Sequence, residues 1–316
     1  MTEKPFLSVV MPLHEGSEWI AATLESLAAE PMQGVEIIAI DSSPADATAR
    51  IVEQFVGRLP LRLLRRTDFG PWQAKTNFAV ELAAADHLCM LHQDDLWLPG
   101  RVEMVRRWLA NAPDAALHLA PTAIIDRNGR RLGNWTCPLP SNRPLDAELL
   151  LSRLLVQNFV SVPAPIIRRS AWLASGGMDD KLWYTADWDL WVKLAGAGTV
   201  VYHDEVTTAF RVHGSSLTVT GSRNAGEFEG QMQMVLDRHL GRLPAPGRRR
   251  VEKAARASIS VNLSLAAASG GSRTALLRAA RHLLSLGPTG MGRYLRDSRL
   301  IERVVPRLRA KLAGAF

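Results

Sequence analysis

The sequence predicts an α/β fold, a mostly parallel sheet flanked by helices, with a helical extension at its C-terminal end. Three observations carry this. Four apolar, β-rich runs between residues 6 and 91 are separated by three segments of helical period. The intervals are too long for hairpins and suit βαβ units, whose strands run parallel. Charge then divides the chain. Residues 241–316 hold 16 Lys or Arg against 3 Asp or Glu, a net of +13, so residues 1–240 carry −6 of the overall +7. The expected division is a catalytic domain over 1–240 and a basic helical extension over 241–316.

In chain order, FLSVVMPL (6–13) is the first strand, and Trp19, Ile20, Leu24 and Leu27 mark a helix over 17–29. VEIIAI (35–40) is a strand ending on Asp41, and a turn through Ser42, Ser43 and Pro44 leads into a helix over 46–56. LRLLRR (61–66) is a third strand, 72–85 a third helix, and Leu88–Leu91 a buried fourth strand. It runs into Asp94 and Asp95, ahead of a helix ending near 110. Residues 116–126 read as one or two strands before a tight turn at Asn128-Gly129, 133–145 as a loop, and 147–156 as a helix. Prolines in FVSVPAPIIRR (159–169) suggest an edge strand. A short helix then stops at Gly176-Gly177, a glycine-hinged loop follows, and 186–198 is helical. A strand over 200–203 and an edge-like segment to Arg211, His213 and Ser216 precede a helix over 222–240. Residues 241–250 read as a linker, and 251–268, 273–286 and 298–313 as basic helices.

At 47% hydrophobic and 22% charged residues the composition is that of an ordinary globular protein. Cys89 and Cys137 make no disulfide framework, and Cys89 reads as a core thiol. The opening MTEKPFLSVVMPLHE turns polar too early for a signal peptide, and no apolar run reaches membrane-spanning length, so a cytoplasmic location is expected.

Right-handed crossovers gather the strand-end loops on one sheet edge, with His14, Glu15, Asp41, Asp46, Asp68, Asp94 and Asp95. Open α/β sheets bind ligands at such an edge. No glycine fingerprint follows the first strand, since PLHEGS has one glycine, and no GxxxxGK[ST] loop occurs. Acids and a metal would therefore replace a glycine cradle. For Asp94 and Asp95 alone, a divalent-cation site and a cap on the next helix are equally open readings. Asp187 and Asp189 lie two apart near a helix start and so point different ways, with Asp189 adequately explained as structural. Most of the nine tryptophans suit the core, while Trp72, Trp97 and Trp183 are candidates to line a sugar pocket.

Taken in order, the segments SVVMPLHE, IIAIDSSPADAT, GPWQAKTNFAV, LHQDDLWLP, GGMDDKLWYTADWDLWVKL and RVHGSSLT resemble glycosyltransferase family 2, the inverting nucleotide-sugar-dependent enzymes of GT-A fold. The resemblance covers roughly residues 6–218. It implies a nucleoside-diphosphate sugar donor contacted around Pro12, Glu15, Asp41, Asp68, Lys75, Asn77, Asp94 and His213. It also implies Mn²⁺ or Mg²⁺ on Asp94 with His213, Asp187 as general base, and a glycan or lipid-linked acceptor of the kind used in envelope polysaccharides or lipopolysaccharide. The chain departs from the pattern at His92, where the first acid of the metal motif is usual, and at Ser42, where a second acid is frequent. Ala186 likewise stands where a Glu often precedes the Asp. An inactive nucleotide-sugar binder and a nucleotidyltransferase are the alternatives, although the latter would need a glycine-rich basic loop after the first strand.

The basic tail has no aromatic interleaving or helix-turn-helix pattern that suits nucleic acid. Its helices separate apolar from basic residues, so 251–313 either makes peripheral contact with the cytosolic face of an anionic membrane or packs on the catalytic body with its arginines in water.

Overall fold

The structure is a computed structural model and describes residues 4–221, 224–269 and 272–315. It opens as the alternation requires, with β1 (Leu7–Leu13), α1 (Ile20–Ala28), β2 (Val35–Asp41), α2 (Ala47–Glu53), β3 (Leu61–Arg65), α3 (Trp72–Leu82) and β4 (His87–Met90). There follow β5 (Leu96–Trp97), α4 (Arg101–Asn111), β6 (Leu117–Leu119), β7 (Thr122–Ile125), β8 (Arg131–Trp135), α5 (Ala147–Val156), β9 (Ile166–Arg168) and α6 (Arg169–Ala174). Then come α7 (Ala186–Leu194), β10 (Val200–Tyr202), β11 (Thr208–Arg211), α8 (Leu217–Gly221) and α9 (Ala225–His239). The chain closes with α10 (Ala245–Ser269), α11 (Arg273–Leu284), α12 (Gly287–Ser298) and α13 (Leu300–Leu312). The first two residues of the helix expected over 222–240 lie outside the described residues.

Seven strands form the main sheet in the order β10-β6-β9-β4-β1-β2-β3, and all but β9 run parallel. Helices cover both faces, so β1 and β2 read as continuous apolar runs. Pro12 is tolerated in the central β1 because its nitrogen lies beyond the end of the β4 ladder, whose last bond is Leu91 N–H to the Val10 carbonyl. A second sheet, β5-β11-β7-β8, is built mainly from the later segments.

Several expectations are corrected. The segment 159–169 is no edge: β9 sits between β4 and β6, antiparallel to both. Its prolines precede the strand, and the Pro163 and Ala164 carbonyls accept from the buried Arg101 guanidinium. The run 116–126 does form two strands, β6 in the main sheet and β7 in the second, but the expected loop over 133–145 begins inside β8. The linker over 241–250 is largely absorbed into α10, which carries non-helical backbone at Pro246 and Gly247. Between the helices expected over 273–286 and 298–313 the structure has a further helix, α12.

The cap reading of Asp94 and Asp95 also fails. Helix α4 starts only at Arg101, and its exposed amides are satisfied from a distance by Glu30, which accepts from Gly100 N–H at 2.7 Å and Val102 N–H at 2.9 Å. The tail packs on the body: Ala255 and Ile259 of α10 join the principal apolar core with α5, α7 and α9. Glu302 of α13 accepts from the Thr136 amide at 3.0 Å and hydroxyl at 2.8 Å. Among the described residues, no helix is long and apolar enough to cross a membrane.

Because one buried carboxylate caps α4, Glu30→Ala should destabilise the fold by about 2 kcal/mol in urea unfolding. Glu30→Gln, which keeps one acceptor, should recover part of that loss.

Candidate active site

The parallel register aligns the ends of three strands: Leu13 pairs with Asp41, and Asp41 with Arg65. Asp41 is fully buried there. Its Oδ1 accepts from the Ser43 amide at 2.8 Å and hydroxyl at 2.5 Å, while Oδ2 has no hydrogen-bond partner and stands 3.5 Å from Arg65 Nε. Lys75 lies beside it, almost fully buried, donating to the Leu13 carbonyl and the Ser42 hydroxyl, each at 2.7 Å. Burial pulls its pKa down to about 8, with the Asp41 charge acting the other way. Ser42, where a second acid is frequent in the family resembled, is thus the acceptor that anchors Lys75. The next loop is held similarly: Glu15 N–H donates to Ser43 Oγ, Gly16 N–H to Thr48 Oγ1, and Glu15 adopts a φ of +48°.

The segment after β4 folds against that loop. Gln93 makes paired bonds with the backbone of His14, and a Cβ on Gly16 would stand 2.4 Å from its side chain, so only glycine allows this approach. His92, Asp94 and Asp95 each present a ligand atom, all within 4.8 Å of one another. His92 Nε2 and Asp95 Oδ2 are buried with no hydrogen-bond partner. Asp94 Oδ2 is 2.9 Å from His213 Nε2, and His213 Nδ1 is 2.8 Å from Ser215 Oγ. Asp95 Oδ1 accepts from Arg211 N–H at 3.0 Å, while Arg211 Nε donates to the Asp94 carbonyl at 2.8 Å.

Burial pushes the Asp94 carboxyl up, but the His213 bond and the fields of His92 and His213 outweigh it, leaving the pKa below its ordinary value. Asp95 is driven well above its ordinary range by burial and then by the Asp94 charge. Burial lowers His92, so its imidazole is neutral at pH 7 and available as a ligand. Two unsatisfied buried groups beside an ionised carboxylate are a donor set that fits a divalent cation. The expected pair, Asp94 with His213, is reshaped: His92 and Asp95 stand with Asp94, and His213 orients it.

Across the edge, Trp72 opens α3 and joins this cluster to the segment before α7. Its ring meets His92 edge-on at 5.1 Å, and its indole N–H donates to the Trp183 carbonyl at 2.8 Å. Asn77 makes paired bonds with the backbone of Met178. Gly177, with φ +65°, packs so closely that a Cβ would stand 2.6 Å from Asn77 Oδ1. The expected glycine hinge is thus held in place at Gly177, whereas a Cβ on Gly176 would meet nothing within 4 Å. Four residues past Trp183 comes Asp187, in the first turn of α7, whose Oδ2 accepts from Asn158 Nδ2 at 2.9 Å. Burial pushes this carboxyl up to about 6, against bonds from the Trp188 backbone and Asn158 that favour its charged form. Asp189 is different: burial opposes it, but His239, Lys193 and Arg238 hold it down at about 2.

Several of the residues expected around the donor also have partners within the protein. Lys75 ties the ends of β1 and β2 together, and Asn77 clamps the 176–178 loop. Asp68 is exposed in a two-bond pair with Arg66. Pro12 is a buried strand residue. Trp97 is buried in β5 rather than near a rim, whereas Trp72 and Trp183 remain partly accessible. Asn158 and Gln93 escaped the sequence reading, since nothing near them in the chain signals partners 29 and 79 residues away.

Residues 8–172, just over half of the chain, match the family model for Glycosyl transferase family 2. The chain belongs to that family. An uncharacterised glycosyltransferase of Rickettsia typhi is 23% identical over 72% of this chain and 70% of its own length. An uncharacterised Mycobacterium tuberculosis protein is 27% identical over 66% of this chain, a match spanning 59% of that relative. The chondroitin synthase of Escherichia coli is 23% identical over 68% of this chain and 30% of its own length. Among solved structures, the mannosyltransferase PcManGT from Pyrobaculum calidifontis, in complex with GDP-Man and Mn²⁺, superposes with TM-score 0.58 at 19% identity. That likeness covers 98% of this chain and 89% of the other. S. aureus TarS 1-349 with UDP-GlcNAc superposes with TM-score 0.54 at 16% identity, covering 98% and 92%. The fold of this family 2 chain is therefore GT-A, as the resemblance implied.

The donor set predicts how Mn²⁺ binding responds to substitution. In electron paramagnetic resonance titrations, Asp94→Asn and His92→Ala should each weaken binding at least about tenfold, and His213→Ala by a similar factor through loss of Asp94's orienting partner. Unchanged binding in His92→Ala would remove it from the set.

Proposed function

We propose that this family 2 chain is an inverting glycosyltransferase that moves a sugar from a nucleoside-diphosphate sugar to an acceptor hydroxyl, with Asp187 as general base. The observation that carries the reading is the state of Asp187. A carboxyl lifted to about 6 is mostly ionised at neutral pH yet a better proton acceptor than an ordinary aspartate. Asn158 donates to Oδ2 and so orients the carboxylate that would take the proton of the acceptor hydroxyl. As that oxygen bonds to the anomeric carbon, its proton passes to Asp187. The bond from the anomeric carbon to the diphosphate breaks on the opposite face, and its electron pair leaves with the nucleotide. A single displacement of this kind inverts the anomeric configuration.

His92, Asp94 and Asp95 would hold Mn²⁺ or Mg²⁺, with His213 orienting Asp94. When bound, such an ion offsets the charge that gathers on the departing diphosphate. Asp41 Oδ2, buried and without a hydrogen bond although Arg65 Nε stands 3.5 Å away, would accept from a base N–H or ribose hydroxyl. Proteins sharing the fold hold GDP-Man with Mn²⁺ and UDP-GlcNAc, the donor class proposed here. The acceptor class is a glycan or lipid-linked glycan precursor.

The test is a screen of nucleoside-diphosphate sugars read as nucleotide release and product formation. Asp187→Asn should lower transfer by about a thousandfold while donor affinity stays within a few-fold. Near-normal transfer would dismiss Asp187 as base, and donor binding without turnover in the unaltered protein would leave a sugar-nucleotide binder.

The same carboxyl sets two pH responses. Transfer should fall about tenfold per unit as pH drops below about 6, because Asp187 must be ionised to accept a proton. A raised folded pKa means that the folded state holds the extra proton, so Asp187 costs stability as pH rises from about 4 to 6. Allowing for its partial exposure, Asp187→Asn should gain roughly 1–2 kcal/mol at pH 7 in thermal unfolding.

A further inference from the structure

The tail gathers basic side chains around a hollow and carries most of the large apolar residues exposed among the described residues. A cavity of about 610 Å³ opens between α5, α10 and α12. Arg153, Arg248, Arg250, Lys253, Arg293 and Arg296 line it, against only Glu148 and Asp297. Asp297 is already engaged by Arg296 at 2.8 Å. A second cavity of about 400 Å³ shares Arg153, Arg296 and Asp297 and adds Arg143 and Arg299. Burial, reinforced by Arg296 and Arg299 and opposed by Asp297, holds Arg153 below its ordinary pKa. So many cations around one hollow raise a field that only an anion of several charges would balance.

The apolar surface adjoins this hollow. Of the ten large apolar residues exposed among the described residues, six lie on α11 and α13. At 100° per residue, Leu276, Ala280 and Leu284 fall on one stripe of α11, with Leu277 beside it. Ile301, Leu308 and Leu312 share one stripe of α13, and Arg309 and Lys311 fall on its two flanks. Each stripe begins or ends at the basic hollow. Leu286, two residues past Leu284, lines the larger cavity, and Arg299, two before Ile301, lines the smaller. Exposed leucines bordered by arginines match the boundary between lipid headgroups and acyl chains, where the apolar stripe enters and long cationic side chains stay at the phosphates.

We propose that α10–α13 with α5 form a docking surface for an anionic lipid membrane, in which the basic hollow takes phosphorylated headgroups and the stripes of α11 and α13 enter the acyl boundary. Charge complementarity selects this occupant over a neutral surface, and the apolar stripes select it over a soluble anion. The inference does not depend on Asp187 or on transfer, and its readout is binding alone.

The full chain would be sedimented with phosphatidylcholine vesicles and with vesicles in which roughly a third of the lipid is phosphatidylglycerol. We expect at least about tenfold stronger partitioning onto the anionic vesicles, weakening as salt is added. Two triple variants isolate the parts: Leu277→Asp with Leu284→Asp and Leu308→Asp, and Arg250→Glu with Lys253→Glu and Arg293→Glu. All six positions are exposed, so the circular dichroism should be unchanged, and each set should lower vesicle binding about tenfold or more. Inorganic phosphate, added without divalent cation, should raise the melting temperature of the unaltered protein and the leucine variant but not of the charge variant. Equal binding to both vesicle types would overturn the proposal. So would full binding by either folded variant, or phosphate stabilisation without vesicle binding. Tighter binding to duplex DNA or RNA would replace the membrane with nucleic acid, and concentration-dependent dimerisation lost in the leucine variant would assign the stripes to a second copy.

Discussion

The structure turns on crowding a buried carboxylate, Asp95, against the half-buried Asp94 and His92 at the end of β4. Adjacent carboxylates, one of them buried, cannot both carry full charge there unless something compensates, and much of the second sheet supplies that compensation. Arg211 on β11 donates its amide to Asp95 and its guanidinium to the Asp94 carbonyl, and Trp19 and His213 pack against the same place. The pairing of β11 with β5 and β7 brings these groups from about 120 residues away. What remains uncompensated, the unpaired His92 nitrogen and one Asp95 oxygen, is the donor capacity on which the cation assignment rests.

A second constraint sets the distance between the two halves of the site. Trp72 touches His92 on one side and holds the Trp183 carbonyl on the other, while Asn77 clamps Met178. The start of α3 therefore acts as a spacer between the cluster and α7. Asn158 completes the frame: it follows α5 by two residues and reaches Asp187. Helix α5 also lines the basic hollow, so one element runs from the tail surface to the proposed base.

Much of this was legible in the chain. The alternation of apolar runs with helical-period segments marks β1 to β4 because buried parallel strands need apolar residues on both faces. Asp41, Asp94 and Asp187 were legible because strand ends and helix starts place them with little freedom. Lys75 and Asn77 were expected at the donor, and in the structure their side chains bond to groups within the protein. A charged or amide group on a helix has several local directions open to it, and the choice depends on which carbonyls happen to pack against it. His92 reads as a defect in an acidic motif until its neighbours are seen to leave its nitrogen unpaired.

By itself, then, the sequence determined the parallel α/β layout, the family, the acids at the strand ends and the separation of a basic tail, all of which follow from local pattern and spacing. The tertiary structure decided that β9 inserts at the sheet's centre, that Glu30 and not Asp95 caps α4, and that His213 reaches Asp94. It also decided that burial lifts Asp187 toward neutrality. The reason is common to all four: each depends on a contact or a loss of water created by residues tens of positions apart, and no local pattern encodes which of them will meet.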